Sequence, residues 1–258
     1  MKQIAQFAML AATLAGVPAS AQQPPSFNKL MDHASEQVAA FVEQFSDVKC
    51  TEMVSQLKLG KNGKVEQKQE STFDYLVILT SAGGHLNLSE SRLGQKSSKP
   101  KSAPLLVTNG FATLFLVFHP FYQGSFEFAA ADDDTVGGRQ FSRVEFRHIK
   151  GTRSPMALVL RGREYPLDVT GTAWVDPESG SITKIAARLE NGLEDIGLRS
   201  LRSEVQYAPA FRATPAFWFP SVATIEVETP RQHWRNVHHF VDYKRFSVST
   251  EEAVKTKP

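Results

Sequence analysis

The sequence predicts an α+β fold: an N-terminal amphipathic helix, then one large antiparallel sheet of roughly ten to twelve strands, with a short buried apolar helix between strands. Three observations carry this. The hydrophobic period is helical from Ser26 to Phe45 and shortens to two from Val48 onward. Turn signals such as Lys61-Asn62-Gly63-Lys64 and Gly83-Gly84 recur at short intervals, which favours antiparallel neighbours over long crossovers. The chain has 258 residues, 41% hydrophobic and 22% charged, a globular composition with length enough to bury its own core.

The first segment reads as an address. Lys2 gives a positive start, Ile4 to Ala15 is apolar apart from Gln6 and Thr13, and Ala19-Ser20-Ala21 supplies a small-residue cleavage site. The apolar run falls short of the ~20 residues that cross a bilayer. Residues 1–21 are therefore expected to leave as a signal peptide, placing the mature chain in the periplasm or outside the cell, with no transmembrane segment after cleavage. The single cysteine, Cys50, has no partner for an intrachain disulfide and reads as a small buried hydrophobe.

Within the helix, Leu30, Ala34, Val38, Phe41, Val42 and Phe45 form an apolar stripe, with Asp32, Glu36, Glu43 and Gln44 elsewhere. Val48 to Val54 is a strand, and a polar strand returns after the Asn62-Gly63 turn. Phe73, Tyr75, Val77 and Leu79 continue into a strand apolar on both faces at its far end, which predicts a central position. His85 to Ser91 follows as a strand, and Leu93 to Ala103, rich in Ser and Lys, as a loop. Phe111 to Phe118 is apolar apart from Thr113. It predicts a buried helix capped by Thr108 or Asn109 and ended by Pro120, with a buried strand as the alternative.

Beyond Ser125 nearly everything reads as strand. Phe126 and Phe128 alternate with polar neighbours, Asp132 to Gly138 reads as a loop, and Phe141 to Ile149 and Met156 to Leu160 as strands, the latter turning at Arg161-Gly162-Arg163. Leu167 to Leu189 forms a long hairpin around Asp176-Pro177-Glu178-Ser179-Gly180. Leu201 to Tyr207, Phe219 to Glu228 and Trp234 to Val248 complete the set, and 249–258 reads as a frayed tail after a single domain at 22–248.

Most function classes find no support. A net charge of +2 with no clustered basic stripe argues against nucleic acid. On a strand, His233 and His239 share one face about 20 Å apart while His238 faces the other way, so the three do not form a metal site. Asp132-Asp133-Asp134 lacks the spacing and glycine of a calcium loop. Gly137-Gly138-Arg139 lacks the lysine and helix start of a phosphate loop. No nucleophile, zinc-protease or Cys/His signature is present, and pairing of Asp74 with Glu145 cannot be judged from spacing alone. The expectation is a non-catalytic protein with no cofactor. A membrane β-barrel is disfavoured because sustained lipid-facing alternation is lacking.

A leading helix, long strands with a charged hairpin, and the run Thr170-Gly171-Thr172-Ala173-Trp174-Val175-Asp176-Pro177-Glu178-Ser179-Gly180 followed by Ile182 and Ile185 resemble the LolA-like superfamily of periplasmic lipoprotein carriers and RseB-type sensor domains. The resemblance covers most of the mature chain in element order and about fifteen residues in sequence. It implies an open half-barrel, a curved sheet whose apolar concave face receives acyl chains. The expected partner is then a lipid or an acylated lipoprotein, together with an envelope protein.

The aromatic supply fits that implication. There are 18 Phe, many of them clustered from Phe111 to Phe128 and from Phe211 to Phe219. These rings either fill a closed core or line an apolar cavity, and Met53 and Met156 suit either role. The cavity reading assigns its wall to Phe111, Leu114, Phe115, Phe118 and Trp218. The alternative is an envelope interaction or sensor module with a filled core and no ligand cavity.

Overall fold

The computed structural model describes residues 25–45, 48–82, 85–94, 110–160, 163–210 and 218–245. The signal segment, the Gly83-Gly84 turn, most of the Ser/Lys loop, Thr108, Asn109, Phe211, Phe217 and the tail lie outside the described residues.

Helix α1 (Pro25–Phe45) begins on a proline, whose missing N–H costs nothing at a helix start. Phe27, Met31, Ala34, Val38, Phe41 and Val42 are buried along one stripe, so the helix lies on the sheet by the face its sequence marks. Twelve strands follow: β1 (Val48–Leu59), β2 (Val65–Ala82), β3 (His85–Gly94), β4 (Phe126–Val136), β5 (Arg139–His148), β6 (Ala157–Leu160), β7 (Arg163–Pro166), β8 (Val169–Val175), β9 (Ile182–Leu189), β10 (Ser200–Pro209), β11 (Trp218–Glu228) and β12 (His233–Arg245). Ten of them form one sheet in the order β3-β2-β1-β12-β11-β10-β9-β8-β5-β4, and β6 pairs only with β7. The pairs are antiparallel. Strand β1 lies beside β12, so the first and last strands meet in the sheet's interior.

The sheet is open, with β3 and β4 at its edges, and this is the half-barrel that the resemblance implies. A twisted sheet of this width curls. Between the edge strands runs residues 110–125, here termed the strap: a 3-10 turn at Leu114–Phe118 and a short helix α2 (Pro120–Gln123). The Tyr122 hydroxyl donates to the Leu86 carbonyl of β3 at 3.0 Å, and only four residues later Phe126 opens β4. The strap therefore spans the gap between the two edges.

Three elements differ from expectation. The apolar segment is a 3-10 turn, because His119 has extended backbone, and Pro120 opens α2 where it was expected to end a helix. His119 Nδ1 accepts from the Phe121 N–H at 3.1 Å and caps that helix. Asp132 to Val136 belong to β4, with a bulge between Ala131 and Asp134. A bulge and an aspartate run on an edge strand oppose edge-to-edge pairing with another chain. Strand β2 is flanked on both sides but lies one from the edge, and Ile78 on its outer face is exposed.

The Asp176 turn joins β8 to β9 and shows why its residues are needed. Asp176 Oδ1 accepts from the N–H groups of Glu178 at 2.9 Å and Ser179 at 3.2 Å, and its carbonyl accepts from Gly180 N at 2.8 Å. The carboxylate also meets Arg139. Gly180 has φ 68°, and a Cβ there would press on the His33 backbone of α1. Gly171 has a purely steric reason: a Cβ would run into the Ala186 carbonyl and the Phe146 ring. Gly171→Ala is expected to lower stability by about 1–3 kcal/mol through this overpacking, read as a drop in denaturant midpoint with unchanged slope.

Candidate functional site

The concave face divides into an apolar half and a polar half. Over β4, β5 and β8 to β11 the inward positions are chiefly apolar, and α1 and the strap cover them. Phe41 of α1 meets Phe115 edge-on at 4.8 Å between ring centroids and Phe219 at 5.0 Å. Phe115 meets Tyr207 at 5.9 Å, while Phe118 meets Phe128 at 5.3 Å and Phe146 at 6.2 Å. Apart from Phe118–Phe128, which is tilted at 43°, these pairs meet edge to face, and such pairs add about 0.5–1.5 kcal/mol each beyond area burial.

The residues expected to line a cavity divide accordingly. Leu114 and Phe118 are 0% exposed, Phe111 and Phe115 are buried, and Trp218 is half-buried. Phe115 and Trp218 come together with Val38, Phe41, Ile182 and Tyr207 around a cavity of about 30 Å³. That is room for about two water molecules. Phe111, Leu114 and Phe118 do not line it and sit in the filled part of the core. Ring packing is the strap's main tie to the sheet, supplemented by Tyr122 on Leu86 and by the Gly110 backbone, which hydrogen-bonds Glu90 of β3.

The polar half lies on β1, β2, β3 and β12. Cross-strand partners share a face, so Val54 opposite His238, Gln56 opposite Asn236, Tyr75 opposite Arg92 and Val77 opposite Glu90 all point inward. Glu52 is 0% exposed and His238 2%. Arg92 Nη2 donates to Glu52 Oε1 at 2.8 Å and its Nε to Oε2 at 2.5 Å, a two-pronged pair. His238 Nδ1 lies 2.7 Å from Glu52 Oε1, and Glu90 Oε2 accepts from Arg92 at 3.3 Å. Arg92 also lies over the Tyr75 ring, 5.3 Å from its centroid.

Burial by itself would raise the Glu52 carboxyl, but the hydrogen bonds from His238 and Arg92 outweigh it and hold the group below the usual range. Burial pushes Glu90 up, although Arg92 pulls the other way. Burial also works to lower Arg92, yet Glu52 and Glu90 keep its guanidinium charged. Cys50 is pushed up to about 12, chiefly by burial, so its thiol stays protonated. It is the inert residue its sequence context suggests.

Sequence reasoning missed this quartet, although a signal existed. Val48, Cys50 and Val54 set the inward parity of β1, and Glu52 occupies the same parity. The histidine reading holds in its geometry: His238 points inward while His233 and His239 lie on the outer face. Of the aspartate run, Asp133 accepts from Gln140 at 2.8 Å and Asp134 from the Trp174 indole at 2.8 Å. Among the described residues no helix is long and apolar enough to cross a membrane.

No family model and no curated protein sequence matches the chain. Among solved structures it is similar to a DUF1329 family protein from Desulfovibrio piger, with a TM-score of 0.45 and 13% identity over 88% of this chain and 95% of that one. It is similar to a putative outer membrane lipoprotein-sorting protein domain from Vibrio parahaemolyticus, with a TM-score of 0.45 and 14% identity over 87% and 95%. LprF from Mycobacterium bovis follows with a TM-score of 0.25 and 8% identity over 86% and 95%. Likeness this slight says nothing of ligand or partner.

The two glutamates of the quartet are expected to behave oppositely. Glu52→Gln removes the closer, two-pronged acidic partner of a buried guanidinium, leaving only Glu90 at 3.3 Å, and is expected to cost about 3–5 kcal/mol at pH 7. Because the folded Glu52 pKa is depressed, its contribution is present above the unfolded pKa and disappears as pH falls through the folded one, so this variant flattens the acid limb of stability against pH. The folded Glu90 pKa is raised, so ionising it opposes folding above its unfolded pKa. Glu90→Gln is expected to be neutral or stabilising at pH 7, and denaturant melts across pH 3–8 read both effects.

Proposed function

We propose that this chain is an exported envelope protein that binds a hydrophobic ligand, a lipid or the acyl portion of a lipoprotein, on its concave face without covalent chemistry. The observation that supports this best is the strap. An apolar segment made of a 3-10 turn and one turn of helix covers the apolar half of the face while contributing no strand to the sheet. It can leave without breaking a ladder. An acyl chain would then occupy the wall now held by Phe111, Leu114, Phe115 and Phe118, with Trp218 at its margin.

Six buried strap side chains, Phe111, Leu114, Phe115, Leu116, Val117 and Phe118, lose roughly 9–18 kcal/mol of burial when the strap leaves. A chain of about fourteen methylenes recovers roughly 11 kcal/mol at ~0.8 kcal/mol each, so displacing the strap offsets the gain and keeps binding reversible. The signal segment supports a periplasmic location, with a lipid, an acylated lipoprotein or an envelope protein as partner.

The size of the cavity favours a second reading. With about 30 Å³ free and Leu114 and Phe118 fully buried, the molecule also fits a filled interaction module that takes no ligand. Native mass spectrometry of the mature chain from a periplasmic extract, followed by organic extraction, separates the two. A stoichiometric adduct of lipid mass supports the carrier. A clean apo mass after incubation with lipids and acylated peptides moves the assignment to the filled module. Phe115→Ala is expected to cost about 3–5 kcal/mol, and on the carrier reading it raises the rate of lipid uptake, followed by emission from Trp218.

A further inference from the structure

The strap begins with a polar contact to the sheet. Gly110 directly precedes the apolar run Phe111–Phe118, and its backbone N–H donates to the Glu90 carboxyl of β3. Gly110 has φ 82°, a conformation that a side chain would strain. Its carbonyl accepts from the buried Thr113 hydroxyl at 3.0 Å. The glycine and the threonine together hold the backbone in place where it touches β3.

The carboxyl has accepting capacity left over. The Glu90 side chain is 5% exposed, and its Oε2 accepts from Arg92 at 3.3 Å. Tyr75 of β2 is its other polar neighbour and is itself buried. Among the described residues neither Glu90 Oε1 nor the Tyr75 hydroxyl makes a well-formed hydrogen bond. A buried acceptor without a donor is costly. Departure of the strap takes the Gly110 N–H away as well, so the carboxyl then calls for a donor from whatever replaces the strap. Arg92 is engaged by both glutamates, so what this spot offers a ligand is an acceptor.

We infer that Glu90, with the Tyr75 hydroxyl beside it, is the polar subsite of the ligand site, and that the ligand is an amphiphile carrying a neutral hydrogen-bond donor, a hydroxyl or an amide N–H, next to its acyl chain. The strap is the template for it: one N–H at Gly110, followed at once by an apolar run. This rests on the hydrophobic-ligand reading above and names the class of ligand. It sets the polar end of the site at β3 and the tail end where Phe118 lies against Phe128 of β4 and Phe146 of β5.

Three probes with the same acyl skeleton test it: oleamide for an amide donor, oleyl alcohol for a hydroxyl and methyl oleate for a head that only accepts. Each is titrated against the purified mature chain by calorimetry. At least one donor probe is expected to bind about tenfold or more tighter than methyl oleate, and the tighter of the two identifies the donor. Glu90→Met removes both carboxyl oxygens while Arg92 keeps Glu52, and it is expected to bring the donor and ester probes within about threefold of each other. The ratio is the readout, because a strap freed from Glu90 changes all three affinities alike. Thermal midpoints verify the fold, with Glu90→Leu as the second variant, and a tenfold preference in the unsubstituted chain supports the ligand class whether or not either variant folds. Equal affinity of the unsubstituted chain for all three probes, or a preference that survives in a folded variant, overturns the subsite and leaves the hydrophobic-ligand reading in place. Failure of all three probes to bind overturns both.

Discussion

A single curved sheet has an inner face that no second sheet dries, so the apolar side chains pointing into it must be covered by another part of the same chain. Every large feature of this molecule answers that constraint. Helix α1 covers part of the face, and the strap covers much of the rest by crossing from one edge of the sheet to the other. The phenylalanine-rich composition follows from the same geometry. A shallow, curved space between one sheet and a thin cover is filled by flat rings meeting edge to face, as Phe41, Phe115, Phe219 and Tyr207 do.

The cover divides into a rigid part and a displaceable part. Helix α1 has twenty-one residues with a continuous buried stripe, so removing it exposes a long apolar surface. The strap has one 3-10 turn and a four-residue helix, and its own backbone bonds, such as Leu116 to Thr113 and His119 to Leu116 at 3.0 Å, travel with it. A segment that keeps its local bonds while giving up packing loses less on leaving than a strand does. This asymmetry makes the apolar half of the face a site for exchange, where a fully laddered element would make it a permanent core.

The polar half obeys a different logic. Burying Glu52, Arg92 and His238 gains little net stability, since desolvation consumes most of the Coulombic return. Its effect is geometric. Arg92 on β3 reaches past β2 to Glu52 on β1, and His238 on β12 reaches the same carboxylate from the other side, so these side chains meet only when four strands curl toward the concave side. Edge strand β3 is held in the position where Leu86 and Glu90 receive the strap.

Much of this was legible before any coordinates. Period and turn chemistry determined α1, the hairpins, the antiparallel architecture and the parity of His233, His238 and His239, because each depends on residues close together in the chain. Parity also placed Glu52 inward on β1, although its partners lie 40 and 186 residues away and no local pattern names them. The 3-10 form of the apolar segment, and Pro120 as a start where a stop was expected, depended on how the strap fits between β3 and β4. The sequence by itself determined which surfaces must be buried and with what period; the tertiary structure alone decided which distant surfaces bury one another, since curvature and strand order arise from the whole sheet and from no local stretch of the chain.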